Sequence, residues 1–108
     1  MPKKIKIPEP LVFEWDEGNI NKNVIRHNVQ NRETEEIFLY DPVIMPDRMH
    51  SKVEDRYFAF GTTRKRRLLI ISFALRGMQK EKIRPIMSRD MNNKEKSYYL
   101  GQKQRIGR

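Results

Sequence analysis

Apolar residues change their spacing along this 108-residue chain, and each spacing predicts an element. Leu11-Val12-Phe13-Glu14-Trp15 predicts a strand closed by Asp16. Between Asn19 and His27, Ile20, Val24 and His27 recur at i, i+4 and i+7, the stripe of a helix that Asp16 or Asn19 can cap. Asn28 stands where a left-handed C-cap belongs, and asparagine tolerates that conformation next best after glycine. Asn31 is placed to cap a second short helix, Arg32 to Tyr40, whose first turn is rich in glutamate, as the helix dipole favours. Asp41-Pro42 ends it.

The second half of the chain reads as strands. Val43-Ile44-Met45 is short, and Pro46 to Asp55 is a polar loop holding His50 and Glu54. Arg56 to Thr62 is rich in aromatic residues suited to a strand, and Thr63-Arg64-Lys65-Arg66 is a hairpin tip. Arg67 to Leu75 is almost wholly apolar, the mark of a central strand covered on both faces. A turn around Gly77 leads to Ile83–Met87, where Pro85 demands an edge or a bulge. Ser88-Arg89-Asp90-Met91 then predicts a turn. Asn92 followed by Glu95 signals a helix start, and that helix bears Lys94, Lys96, Tyr98 and Tyr99. Residues 1–10 and 101–108 read as flexible tails around a single domain spanning 1–108. The order is β-α-α-β-β-β-β-α, an α+β domain with an antiparallel sheet of four to five strands, two N-terminal helices and one C-terminal helix.

Charge narrows the function. The net charge is +9, and it is unevenly placed: residues 29–55 carry −4, whereas 56–75 carry +5 with no acid and 76–108 carry +7. Such a field favours a polyanion, nucleic acid first and an acidic protein partner second. No cysteine is present, which removes disulfides, thiolate chemistry and Cys-based zinc sites. No signal-peptide h-region and no apolar run of membrane-spanning length is present, so a cytoplasmic protein with no membrane role is expected. The two histidines, His27 and His50, have no metal-ligand spacing, and there is no P-loop, GxGxxG or GxSxG. No cofactor is expected. What remains is a site made from Arg, Lys, His, Glu and Tyr.

Arg84 and Arg89 flank a predicted strand-to-helix junction, where two guanidinium groups can point at one anion. Glu54 and Arg56 share a strand face by two-residue alternation, either as a salt bridge or as a carboxylate base beside a phosphate-binding arginine. Tyr57, Phe58 and Phe60 read as core. Tyr98 and Tyr99 lie near basic residues, where a tyrosine can stack on an unpaired base. The run Arg64 to Arg67 can steer a phosphate backbone without specificity.

Four segments together resemble the BrnT family, the ribonuclease toxins of bacterial type II toxin–antitoxin pairs: Phe13–Val29, Glu33–Pro42, Glu54–Gly61 and Ile83–Tyr99. The resemblance implies a RelE-like fold and RNA cleavage that slows translation. It also implies a cognate antitoxin, often a small ribbon-helix-helix DNA-binding protein of the BrnA kind, that forms a heterotetramer and represses its own operon. Family positions fall on Arg26 and His27, on Glu54 and Arg56, and on Met87, Ser88 and Arg89. Met87 stands where the family usually has serine, and Ser88 next door is the candidate substitute. Arg89, Arg56 and Arg84 are the expected phosphate clamp, and either His27 or Glu54 moves the proton. Arg26, Arg64, Arg67, Lys94, Lys96 and Tyr99 are the expected RNA-binding residues. The competing reading is a basic module that binds RNA or protein without cutting.

Overall fold

The computed structural model describes residues 5–50, 52 and 54–106. The elements are α1 (Lys22–His27), α2 (Asn31–Leu39), β1 (Val43–Pro46), β2 (Arg56–Thr62), β3 (Leu68–Arg76), β4 (Lys82–Asp90) and α3 (Asn93–Ile106). The strands form one antiparallel sheet in the order β1-β2-β3-β4. Two N-terminal helices and one C-terminal helix complete the expected α+β domain.

β3 is buried from Leu69 to Ala74 because the sheet is covered on both sides. On one face Ile71, Phe73 and Ile83 pack with Val29, Ile37 and Phe38, the last two from α2. On the other face Val43, Phe60 and Ile70 pack with Met91 and with Tyr99 of α3. Each face takes alternate residues of the same strands, as a pleated backbone requires.

The predicted strand at Leu11–Trp15 shrinks to a single parallel bridge between Phe13 and Ile83. Ile83 N–H donates to Val12 O and Glu14 N–H to Ile83 O, both at 2.8 Å. The next ladder bond would need an N–H from Pro85, and proline has none. Asn19 supplies the missing donor: its Nδ2 reaches Glu14 O at 2.9 Å and Pro85 O at 2.8 Å. Asn19 is therefore committed to tertiary structure, and α1 begins at Lys22 instead of Asn19. Of the expected helical stripe, Ile20 is exposed, and the buried α1 side chain is Asn23, whose amide atoms lack hydrogen-bond partners among the described residues.

Asn28 is the left-handed C-cap (φ 52°, ψ 40°). The α2 cap falls one residue earlier than expected, on Gln30, which exchanges hydrogen bonds with Glu33 in a capping box. At the start of α3, Asn92 N–H donates to Glu95 Oε1 and Glu95 N–H to Asn92 Oδ1, each at 2.9 Å. The expected turn at Ser88–Met91 is absent because β4 continues to Asp90. Ser88 Oγ accepts a 2.8 Å hydrogen bond from Thr34 of α2, both groups being buried, so the strand has reason to persist. Pro85 is accommodated by a bulge: Phe73 pairs with Pro85 and Ser72 with Met87, leaving Ile86 over. Of the expected tails, residues 101–106 are instead helical within α3, while 1–4 and 107–108 lie outside the described residues.

Gly61 marks the closest approach of α2 to the sheet, for a methyl group there would lie 2.7 Å from Ile37 Cγ2. Gly61→Ala should cost about 1–3 kcal/mol by overpacking. In a thermal melt this appears as a drop of roughly 4–8 °C for each kcal/mol.

Candidate functional site

Cross-strand pairing sorts the charged residues into rows. Arg56, Ala74 and Arg84 align across β2, β3 and β4; Phe58, Ser72 and Met87 form the next row, and Phe60, Ile70 and Arg89 the next. Phe60 and Ile70 lie beneath α3, so all three rows belong to that face. The helix covers the Arg89 end. Toward the Arg56–Arg84 end a cleft of about 230 Å³ opens, lined by Lys22, Glu54, Arg56, Arg76 and Arg84 with the Gly18-Asn19 turn. Two larger hollows lie elsewhere: one at the hairpin tip sets Arg32, Arg64 and Lys65 against Glu33 and Glu36, and the other follows the apolar flank of α2.

Three of the five expected catalytic residues therefore meet: Glu54, Arg56 and Arg84. Glu54 straddles two guanidinium groups. Its Oε1 accepts from Nε and Nη2 of Arg56 at 3.3 Å, and its Oε2 pairs with Arg76 Nε at 2.8 Å. Arg84 is only 16% exposed and is held by Asp16 Oδ2 at 2.7 Å, Asp16 Oδ1 at 3.0 Å and Glu14 Oε1 at 3.0 Å. Its hydrogen bond to Asp16 raises the arginine pKa further and lowers that of the aspartate.

The other two expected catalytic residues do not line this cleft. Arg89 makes a two-pronged bridge to Glu95 at 2.8 and 2.9 Å, which raises its own pKa and lowers that of Glu95. His27 ends α1 near Asp90, and its ring has no hydrogen-bond partner among the described residues.

Arg67, expected to hold RNA, is a structural clamp. It donates to Asp90 Oδ1 at 2.8 Å and Oδ2 at 3.0 Å, to the carbonyls of Asn28 at 2.8 Å and His27 at 3.2 Å, and to Glu33 at 3.2 and 3.3 Å. The Arg67 hydrogen bond is the main reason that the Asp90 carboxyl lies below its ordinary range. Tyr99 is also reassigned: it is 3% exposed and shares a 2.9 Å hydrogen bond with Thr62, so it packs the core and does not offer a stacking surface. Tyr98 is the more exposed tyrosine of the pair. Arg26, Arg64, Lys94 and Lys96 are exposed. Ser88 cannot stand in for a serine at 87, since its hydroxyl points to Thr34 on the opposite face. Arg76 and Lys22 went unpredicted. Arg76 is two residues from Ala74, so alternation alone would have placed it on the Arg56 face; Lys22 reaches the cleft through the turn at Gly18-Asn19, which no local pattern announces.

The fold and the site together define a basic α+β domain whose antiparallel sheet gathers arginines at one end. The family described as "Ribonuclease toxin, BrnT, of type II toxin-antitoxin system" matches residues 15–95, and the chain belongs to that family. It is a ribonuclease toxin, with RNA as its substrate class and a cognate antitoxin as its partner. In structure it is similar to the crystal structure of the Brucella abortus ribonuclease toxin BrnT, with a TM-score of 0.55 at 18% identity over 77% of this chain and 96% of that one. At that identity the likeness supports the fold. No curated protein matches it significantly in sequence. No helix among the described residues is long and apolar enough to cross a membrane.

Arg67→Ala should destabilise the fold by about 2–3 kcal/mol, because it leaves two carboxylates and two carbonyls without their donor. Arg64→Ala, at the exposed hairpin tip, should change stability by less than about 0.5 kcal/mol. The lowered pKa of Asp90 means that its contribution is present above the ordinary carboxylate range near pH ~4 and is lost as pH falls through the folded value. Urea titrations at several pH values should therefore show the gap between parent and Arg67→Ala narrowing below about pH 4.

Proposed function

We propose that the cleft between β2, β4 and the Gly18-Asn19 turn cuts RNA by metal-independent transesterification. The observation that carries this reading is the meeting of Glu54, Arg56, Arg76 and Arg84 around one small hollow. The ribose 2′-oxygen attacks the adjacent phosphorus, the bond from phosphorus to the 5′-oxygen breaks, and the products are a 2′,3′-cyclic phosphate and a 5′-hydroxyl. Charge builds on the phosphorane oxygens, where fixed cations act most strongly if water is excluded. Planar guanidinium groups match those oxygens in pairs. Arg56, Arg76 and Arg84 take that role. Glu54, between two of them, accepts the 2′-OH proton, a contribution of about 10²–10⁴-fold, and a solvent water gives a proton to the departing 5′-oxygen. His27, which does not line the cleft, is not assigned the proton transfer. Arg89 fixes the start of α3 through Glu95 and acts on the site from two rows away.

The carboxylates beside the cleft support the metal-independent reading, because each is engaged by arginine: Glu54 by Arg56 and Arg76, Glu14 and Asp16 by Arg84. The partner, in the same reading, is a small ribbon-helix-helix antitoxin assembled with the toxin as a heterotetramer in the cytoplasm. Residues 56–75 and 76–108, at +5 and +7, favour an acidic segment of that partner.

The test is cleavage of a defined RNA by the purified protein in excess EDTA, with mapping of the ends. Activity should persist and leave cyclic phosphates. Arg56→Ala and Glu54→Gln should each lower kcat/KM by about 100-fold with an unchanged circular dichroism spectrum. Activity lost in EDTA and restored by a divalent ion, or an Arg56→Ala protein as active as its parent, overturns the reading.

Met87 occupies the same sheet face as Arg84 and Arg89, with Ser72 directly across on β3. Met87→Ser places a hydroxyl between the arginine rows, and a several-fold rise in single-turnover rate is expected. A lower melting temperature with no gain in rate would instead assign Met87 to filling space.

A further inference from the structure

Three cations at the margins of the cleft, Lys22, Arg26 and Lys82, lie to either side of its paired arginines. α1 runs beside β4, held at its start by Asn19 on Pro85 O and at its end by Arg67, which bridges His27 O, Asn28 O and Asp90. Lys22, in the first turn of α1, lines the cleft. Arg26 follows at i+4 on the same helix face and is exposed. On the other side, Lys82 opens β4, is exposed, and pairs across the sheet with Arg76, another cleft residue. Lys22, Arg26 and Lys82 have no hydrogen-bonded or ionic partner among the described residues. The arginines between them are spent on Glu54, Glu14 and Asp16.

From this we infer that the chain carries a phosphate-tracking path for single-stranded RNA, entering over Lys82, crossing the cleft, and leaving over Lys22 and Arg26. The inference rests on the ribonuclease reading of the cleft. Two spacings support it. Four residues of helix advance roughly 6 Å from Lys22 to Arg26, and two residues of strand advance roughly 7 Å from Lys82 to Arg84. Both are on the scale of successive phosphates in an extended strand. A hollow of about 230 Å³ accommodates one nucleotide link and not a duplex, and attack by a 2′-oxygen in line with its leaving group needs a flexible backbone. No aromatic side chain among the described residues lines the cleft, so affinity along the path comes from charge and not from base stacking.

The path should therefore bind many sequences, with affinity falling steeply as salt rises. Each phosphate neutralised on a single strand contributes about 0.7 to the slope of log K against log salt. The probe is a fluorescent eight-nucleotide RNA, 2′-O-methylated throughout for binding and unmodified for cleavage. Arg26→Ala and Lys82→Ala should each reduce the binding slope by about 0.7. Each should raise KM roughly five-fold while leaving single-turnover cleavage at saturation within two-fold, the pattern for lost uniform binding. Arg105→Ala, near the C-terminal end of α3, is the charge-matched control and should leave both quantities unchanged.

Unchanged slope and KM in Arg26→Ala and Lys82→Ala, beside an inactive Arg56→Ala, would overturn the path and leave the cleft reading intact. An active Arg56→Ala would instead overturn the cleft reading itself. If the two path variants cleave normally but resist neutralisation by the antitoxin, the line is an antitoxin-docking surface and the inference fails. Ile25, 81% exposed on α1, would be the apolar anchor of such a surface.

Discussion

The pairing of β3 with β4 constrains everything that matters in this molecule. It is antiparallel and long, running from Leu69–Asp90 to Arg76–Lys82, and it is broken once, at Ile86. That single extra residue lets Pro85 sit inside a strand that needs its neighbours' hydrogen bonds. It also keeps Arg84, Met87 and Arg89 on one face although the first two are an odd number of positions, three, apart. Without the bulge, alternation would send Arg84 and Arg89 to opposite faces. A proline that weakens the ladder thus serves the arrangement of charge above it.

The arginines of the site come with carboxylates attached, and this cuts two ways. Glu14, Asp16 and Glu54 hold the guanidinium groups of Arg56, Arg76 and Arg84 in fixed positions. The same pairs lower the field that a passing polyanion feels, leaving attraction over distance to the unpaired lysines and arginines around them. In the proposed reading, grip and capture fall to different residues. A phosphate reaching the cleft competes with Glu54 for Arg56 and Arg76, so a group that spreads negative charge over several oxygens gains most from displacing it.

Much of this architecture was legible in the chain because it depends on neighbours in sequence. The cap at Asn28, the reciprocal pair Asn92 and Glu95, the doubly covered β3 and the irregularity at Pro85 all follow from local chemistry. The failures share a different cause. Leu11–Trp15 has the composition of a strand, but its ladder stops because of a proline some seventy residues away. Ser88 reads as a turn residue until Thr34 accommodates it. Arg67 belongs by position to a basic hairpin tip, yet Asp90, Glu33 and two carbonyls converge on it. Within the candidate site, Glu54, Arg56 and Arg84 were legible as residue types, while Arg76 and Lys22 depend on how the sheet and the turn meet.

α1 has six residues, too few to persist as an isolated helix in water. Its last carbonyls take their donors from Arg67, 40 positions downstream, and the turn before it is pinned to Pro85, 66 positions from Asn19. A chain still being synthesised has neither. One wall of the cleft is therefore missing until β3 and β4 have left the ribosome and paired. Contacts of such long sequence separation form slowly, because the loop must close before it is rewarded. The cleft thus waits on β4: until residue 85 has emerged and paired, nothing holds the Gly18-Asn19 turn against the sheet.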